Sequence, residues 1–387
     1  MDDRIDTRQA EAEENSVQTD PGDVEAAVAA RGEADLDLLK PVIGEIYRIK
    51  THDPRGKAVY LYGDGYNENA EDAARWVFHC VDPASSKYIL CTTKGHPSSG
   101  RPGRVLYGQD GFRDVHADFA TLEYMLTVHN VWQLEDAGSG KFRLWCYGRS
   151  QYVVIDHGHM TVQLGDKQSD GSDLFELDKV GEYSEVTKLQ KYPHKTFKTP
   201  ELTSMDPPPT YSEQEVAGEV AVPWFLVAQD GGKDDYWRAE NTPYYIMRRW
   251  SRWYAKNWET LKRTETKQHQ WSIVWGVSEE DAKEIDRNLN VSVSAEAGLD
   301  IKGFSAKVST NISYGLNIKT SHRSSKSYSE SKSGSYQIGP VNDGDMALCD
   351  FYRQDQYRLY RTEGQEIREF PVTVPGTRAG RTYVKKQ

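Results

Sequence analysis

Leu289-Asn290-Val291-Ser292-Val293-Ser294-Ala295-Glu296-Ala297-Gly298-Leu299-Asp300-Ile301 is apolar at every odd position and polar or glycine at every even one. Successive side chains of extended backbone point to opposite sides, so period two marks a strand with two unlike faces. After Lys302-Gly303 the alternation resumes on even numbers: Phe304, Ala306, Val308, Thr310, Ile312, Tyr314, Leu316 and Ile318. Ser305, Lys307, Ser309, Asn311, Ser313, Asn317 and Lys319 stand opposite them. The spacing predicts a hairpin over 289–318 that reverses at Lys302-Gly303. Each arm exceeds the ~9 to 11 residues that a tilted strand needs to cross a bilayer. In hydrocarbon every backbone N–H and C=O must be paired, so such a hairpin inserts only where several copies close a barrel. The membrane-facing set would be Val291, Val293, Ala295, Ala297, Leu299, Ile301, Phe304, Ala306, Val308 and Ile312, with Glu296, Asp300, Lys302 and Lys307 lining the lumen. The plain alternative is a ribbon with one face on a core, the commonest reason for period two. Strands this long and regular exceed the usual ~5 to 6 residues. The next stretch, Thr320–Gln337, carries eight serines and few aliphatics, which a core strand rarely tolerates.

The N-terminal half repeats itself. Val59-Tyr60-Leu61-Tyr62-Gly63-Asp64-Gly65-Tyr66 returns as Val105-Leu106-Tyr107-Gly108-Gln109-Asp110-Gly111-Phe112, and more loosely as Tyr152-Val153-Val154-Ile155-Asp156-His157-Gly158-His159. Each copy precedes an apolar closing strand: Trp76-Val77-Phe78, Val131-Trp132-Gln133-Leu134 and Leu174-Phe175-Glu176-Leu177. One unit cannot bury its own aromatic residue, whereas three can share a core. Three copies of strand, Gly turn, strand and aromatic plug resemble a β-trefoil. Trefoils of this kind are often lectins, so the turns supply candidate glycan or receptor contacts: Asp64, Tyr66 and Asn67; Gln109, Asp110 and Phe112; Asp156 and His159. A sugar needs an aromatic face for its C–H side and a fixed carboxylate or amide for its hydroxyls. A tight turn asks for the same Asp-Gly and Gly-Tyr pairs, so both readings stand.

Between these halves lies a compact signature. It reads Val222-Pro223-Trp224-Phe225-Leu226-Val227, Asp230, Thr242-Pro243-Tyr244-Tyr245-Ile246, Arg248-Arg249-Trp250, Trp253 and Val274-Trp275-Gly276. The order resembles the binary-toxin (Bin-like) family of insecticidal crystal proteins at the start of their pore-forming domain, carried by Pro223, Thr242, Pro243, Tyr244, Tyr245, Trp275 and Gly276. The resemblance implies a mostly β fold: an N-terminal β-trefoil followed by an elongated aerolysin-like β-sheet domain, in which long Ser/Thr-rich strands are common. The expected division is an acidic disordered leader over 1–40, the trefoil over 41–180, a proline-bearing linker over 181–212 and the pore-forming domain over 213–387. The implied activity is insecticidal pore formation. The implied partners are a receptor or glycan on insect gut epithelium, further copies of the chain in a ring, the target membrane, and a second binary-toxin protein in those members that need one. The implied location is a bacterial cytoplasmic crystal inclusion, or release without a signal, with action outside the cell. A non-lytic trefoil lectin whose second domain only oligomerises is the rival reading.

Composition narrows the field further. The 387 residues hold 59 acidic and 48 basic side chains, a formal net charge of −11. Residues 1–40 contain twelve of those acids against four basic residues, which reads as disorder. The overall field does not attract a polyanion, so no nucleic-acid partner is expected. No stretch approaches the ~18 to 20 apolar residues of a membrane helix, and the N-terminus lacks a basic start and apolar run of a secretory signal. Arg31 and Lys40 offer cleavage points at the end of the leader. Cys80 and Cys91 flank an apparent hairpin and could pair as a disulfide or stay as buried thiols. His157 and His159 lack an evident third metal ligand. There is no nucleophile elbow, Walker loop or dinucleotide fingerprint, so neither catalysis nor a cofactor is expected.

Overall fold

A computed structural model describes residues 38–62, 65–82, 85–94, 102–108, 115–119, 130–193, 195–280, 282–283, 291–294, 298–301, 312–318 and 329–386. Between Glu45 and Glu182 a four-strand unit occurs three times. The first unit is β1 (Glu45–His52), β2 (Ala58–Leu61), β3 (Tyr66–Asn67) and β4 (Arg75–Asp82). The second is β5 (Lys87–Lys94), β6 (Arg104–Gly108), β7 (Val115–Phe119) and β8 (Trp132–Gly138). The third is β9 (Lys141–Cys146), β10 (Gln151–Asp156), β11 (Thr161–Gly165) and β12 (Phe175–Glu182). In each unit the first strand pairs with the fourth, and the second with the third. The units join through β4–β5, β8–β9 and β12–β1, which closes a six-stranded barrel carrying three hairpins. This is the β-trefoil expected from the repeat.

The aromatic plugs occupy equivalent places. Trp76, the second residue of β4, and Trp132 and Phe175, the first of β8 and β12, are fully buried. Trp76 and Trp132 donate their indole N–H groups to Leu61 O (3.3 Å) and Leu106 O (2.9 Å), satisfying a donor that burial would otherwise strand. Tyr47, Phe78, Tyr88, Leu134, Phe142 and Leu164 pack in the same core.

The disulfide expectation is corrected here. In the β4–β5 register Cys80 lies opposite Tyr88 and Cys91 opposite Val77. Each is three positions from the other's partner, so the two cysteines point to opposite faces of the pair. Both are free thiols, and burial pushes Cys80 up to about 12.

After β12 come a helical turn, α1 (Ser184–Thr187), and an irregular segment laid against the second sheet. Leu202 is buried with Cys349 and Phe351, and the backbone of Thr210 and Ser212 bonds to that of Ala255 and Trp253. The second sheet holds β13 (Glu215–Pro223), β14 (Tyr244–Leu261), β15 (Lys267–Gly276), β18 (Ser329–Ile338), β19 (Gly344–Tyr360), β20 (Glu366–Thr373) and β21 (Ala379–Lys386). A short helix, α2 (Asp235–Asn241), precedes β14, and β16 (Val291–Ser294) and β17 (Gly298–Ile301) form a separate hairpin. The 18-residue β14 pairs antiparallel with the 17-residue β19 from Ile246–Tyr360 to Leu261–Met346. At ~3.3 Å per residue such strands run about 60 Å, the elongated form expected. Among the described residues the β15–β18 ribbon pairs with β20 only at Gly276–Thr373, and it packs on β14 and β19. Trp275 meets Tyr352 edge-on, and buried His269 bridges Glu259 of β14 and Asp350 of β19, the latter at 2.9 Å. Arg378 closes on the same Asp350 at 2.8 Å.

Candidate functional site

The signature residues build the joint between trefoil and sheet. Pro223 ends β13, and Trp224, Phe225, Leu226 and Val227 follow it into one core with Val77, Val81, Ile89, Cys91 and Val105 of the trefoil. Tyr244 is buried and donates to Phe78 O at 2.7 Å, tying the start of β14 to β4. Tyr245 donates to Asp230 Oδ2 at 2.8 Å, while Arg361 grips both oxygens of that carboxylate at 2.7 and 2.9 Å. Burial would raise the Asp230 carboxyl, but Arg361 and Tyr245 outweigh it and hold it below its ordinary value. Thr242 shares its hydroxyl with Thr362, and Pro243 O accepts from Trp224 N. Trp275 is buried, and Gly276 ends β15 at a φ of 83°. Sequence reasoning missed His79, packed between Phe225 and Tyr244, and Arg361; nothing near either residue marks it.

The alternating segment departs from the predicted hairpin. Val291 pairs with Ile301, Ser292 with Asp300, Val293 with Leu299 and Ser294 with Gly298. The two described strands thus both precede Lys302-Gly303, and the predicted pairing about that dipeptide is not the one observed. The apolar positions still match across the pair. Ala295, Ala297, Phe304, Ala306 and Val308 lie outside the described residues. Ile312 is not in a strand: Ile312–Gly315 is a helical turn, with Ile312 and Leu316 buried in the joint core. Residues four apart share a face in a helical turn as they do at period two, so one apolar pattern fits both conformations. The whole excursion begins and ends at one place, because Gly276 and Ser329 are partners at the end of the β15–β18 ladder.

In the trefoil, Tyr66 is buried in the barrel core and meets His157 edge-on at 6.1 Å, so its ring is not an open stacking face. Asn67 accepts from Asn69 N at 2.8 Å, a turn contact. Asp156 accepts from Gly158 N at 2.9 Å and from Gln163 Nε2 at 3.2 Å, and lies 2.9 Å from His159 Nδ1. The His159 bond, followed by the backbone donors, holds that carboxyl below its ordinary value. His159 is exposed, so this turn presents a fixed carboxylate and an imidazole to solvent. Asp64, Gln109, Asp110 and Phe112 lie outside the described residues, as does Arg31; Lys40 is exposed. Among the described residues no helix is long and apolar enough to cross a membrane, which leaves strands aside.

Residues 216–385 match the family described as Insecticidal Crystal Toxin, P42. The resemblance carried by the signature is borne out over the segment in which it was read. The crystal structure of Cry35Ab1 has the same fold over most of both chains, with TM-score 0.62, 17% identity, and coverage of 88% of this chain and 90% of that one. The designed 3-fold symmetric protein ThreeFoil matches 35% of this chain and 99% of its own at 15% identity and TM-score 0.27. The hemolytic lectin CEL-III matches at 9% identity and TM-score 0.22, over 90% of this chain and 95% of that one. No curated protein matches the chain by sequence.

Proposed function

We propose, from an insecticidal crystal toxin domain at 216–385 joined to a β-trefoil, that the protein is a pore-forming insecticidal toxin. The trefoil binds a receptor or glycan on gut epithelium, with Asp156 and His159 an exposed polar pair at one of its described turns. Protomers gather into a ring, and each contributes the 289–318 segment to a shared barrel. A second binary-toxin protein assists where the target demands one. The family's description as crystal toxins supports deposition as an inclusion and action outside the cell.

One observation carries the reading. The excursion departs from Gly276 and returns at Ser329, which are cross-strand partners. Drawing it out extends the β15–β18 ribbon in that ribbon's own register, which sets Val291 opposite Tyr314 and requires the Val291–Ile301 ladder to open. The alternation then gives that ribbon one apolar and one polar face, as lipid and lumen require. The described edge strand β18 is largely exposed and polar, which suits a strand that leads toward a water-filled barrel.

Single cysteines at Asn290, Val291, Ser292, Val293 and Ser294, each carrying an environment-sensitive dye, test this on phospholipid vesicles. Emission at 291 and 293 is expected to shift to the blue, and emission at 290, 292 and 294 to stay that of a wet site. Uniformly wet positions on bound protein would leave the non-lytic lectin as the reading.

A further inference from the structure

Ile312–Ile318 is held in the head of the second domain by contacts that neither a strand pattern nor a joint core requires. Gly218 of β13 stands opposite Arg249 of β14. A Cβ on Gly218 would lie 2.6 Å from Leu316 C and 2.7 Å from Gly315 O, so the segment's backbone rests directly on that glycine. The fit is reciprocal, because a Cβ on Gly315 would lie 2.8 Å from Val220 Cβ. Next to it, buried Arg249 donates through Nε to Asp355 at 2.7 Å. Its Nη1 donates to Leu316 O at 3.1 Å and also to Asn317 O. Carbonyls at the end of a helical turn have no partner within the turn, so Arg249 satisfies them from outside. Asn317 turns the chain at a φ of 53° and donates Nδ2 to Tyr192 O (2.9 Å) and Ala217 O (2.7 Å).

We propose that Gly218, Arg249 and Asn317 form a latch that holds Ile312–Ile318 against β13 and so restrains the chain between Gly276 and Ser329 from being drawn out. The proposal rests on the pore-forming reading and names its regulation. The physical logic is that of a bistable element. Ile312 and Leu316 are buried on a helical face now, and would share one strand face after release. Arg249 keeps Asp355 in both states, so opening the latch does not strand a buried guanidinium. The segment is tied to two different parts of the chain, β13 and the stretch around Tyr192 that leads out of the trefoil. A pull on the trefoil is thereby transmitted to the turn.

Asn317→Gly keeps the positive φ and loses the two side-chain bonds but frees the backbone. Asn317→Asp, which keeps the side chain's shape without the Nδ2 donor, is therefore read beside it and is expected to change in the same direction. Gly218→Ala adds a Cβ where the segment's backbone lies. Hydrogen exchange of the 312–318 amides and dye release from phospholipid vesicles are read on the full chain, with the melting temperature as a check on the fold. In Asn317→Gly both exchange and release are expected to rise several-fold, with the β19 amides unchanged. Unaltered exchange at 312–318 in a folded Asn317→Gly overturns the latch. So does faster exchange with release equal to that of a lytic wild type, because the contact then limits nothing. Faster exchange with no release from any form would uphold the tether and overturn the pore-forming reading.

Discussion

His79 is an imidazole enclosed by Phe225 and Tyr244, with no hydrogen-bond partner for either ring nitrogen among the described residues. Burial pushes its pKa down from 6.5 to about 3. The folded protein therefore holds it neutral while the unfolded chain protonates it below 6.5. Its contribution to stability is complete above pH 6.5 and is lost as pH falls from there toward 3. His79→Leu should flatten that part of the curve, as read by denaturant unfolding at pH 7, 6, 5 and 4; an unchanged slope would mean the joint is wetter than it looks. Tyr244→Phe tests the neighbouring contact. It removes one hydroxyl and leaves Phe78 O buried, a loss of about 1–3 kcal/mol in the same assay. At this scale the signature was legible as an order of residue types, but its meaning was not. Thr242, Tyr244 and Tyr245 read as a family mark, and their bonds to Thr362, Phe78 and Asp230 depend on strands far away in sequence.

Secondary elements were legible wherever burial repeats with their own period. β9, β10 and β11 alternate cleanly between buried and partly exposed residues, and their repeat predicted the trefoil unit. Period two failed at Ile312–Gly315, because residues four apart satisfy a helical turn as well as a strand and the joint core settles which forms. The pairing expected about Lys302-Gly303 failed for a related reason. Gly298 and Gly303 both permit a nearby turn, and the observed ladder pairs Val293 with Leu299. In the β15–β18 ribbon, Gly334 lies opposite Trp271, whose indole covers it; a Cβ there would stand 2.7 Å from the ring. Gly334→Val must displace Trp271 from its cross-strand seat. A lower melting temperature and a red-shifted tryptophan emission are expected, although valine is the better strand residue. A gain in melting temperature would show that the seat of the indole over Gly334 does not stabilise the ribbon.

At the scale of the molecule, trefoil and sheet share one core, so they should unfold together. Phe225→Ala removes an aromatic from that joint, at a cost of about 3–5 kcal/mol, and should split a single calorimetric transition into two. Burial also raises Tyr47, Tyr183 and Tyr352 from 10.0 to about 12, helped in turn by the carboxylates of Glu45, Glu240 and Asp350. A raised phenol stabilises the fold fully below pH 10 and loses that effect as pH climbs through 10 toward 12. From this source the melting temperature should stay level between pH 7 and 10 and fall above it. The two-part β architecture was legible because the three-fold repeat announces the trefoil and the 222–276 signature resembles a family whose second domain is an elongated β-sheet. The joint was not, since Val77, Val81 and Ile89 read as ordinary strand residues until Phe225 and Leu226 meet them. The central claim is that the excursion between Gly276 and Ser329 enters membranes as part of a ring. The most direct measurement is dye release from lipid vesicles and from insect midgut membrane vesicles, with the protein whole and trypsin-trimmed, followed by electrophoresis for an SDS-resistant oligomer. The account predicts release together with that oligomer from at least the trimmed form. Binding to midgut vesicles with neither release nor oligomer, whether or not a candidate partner protein is added, would contradict it.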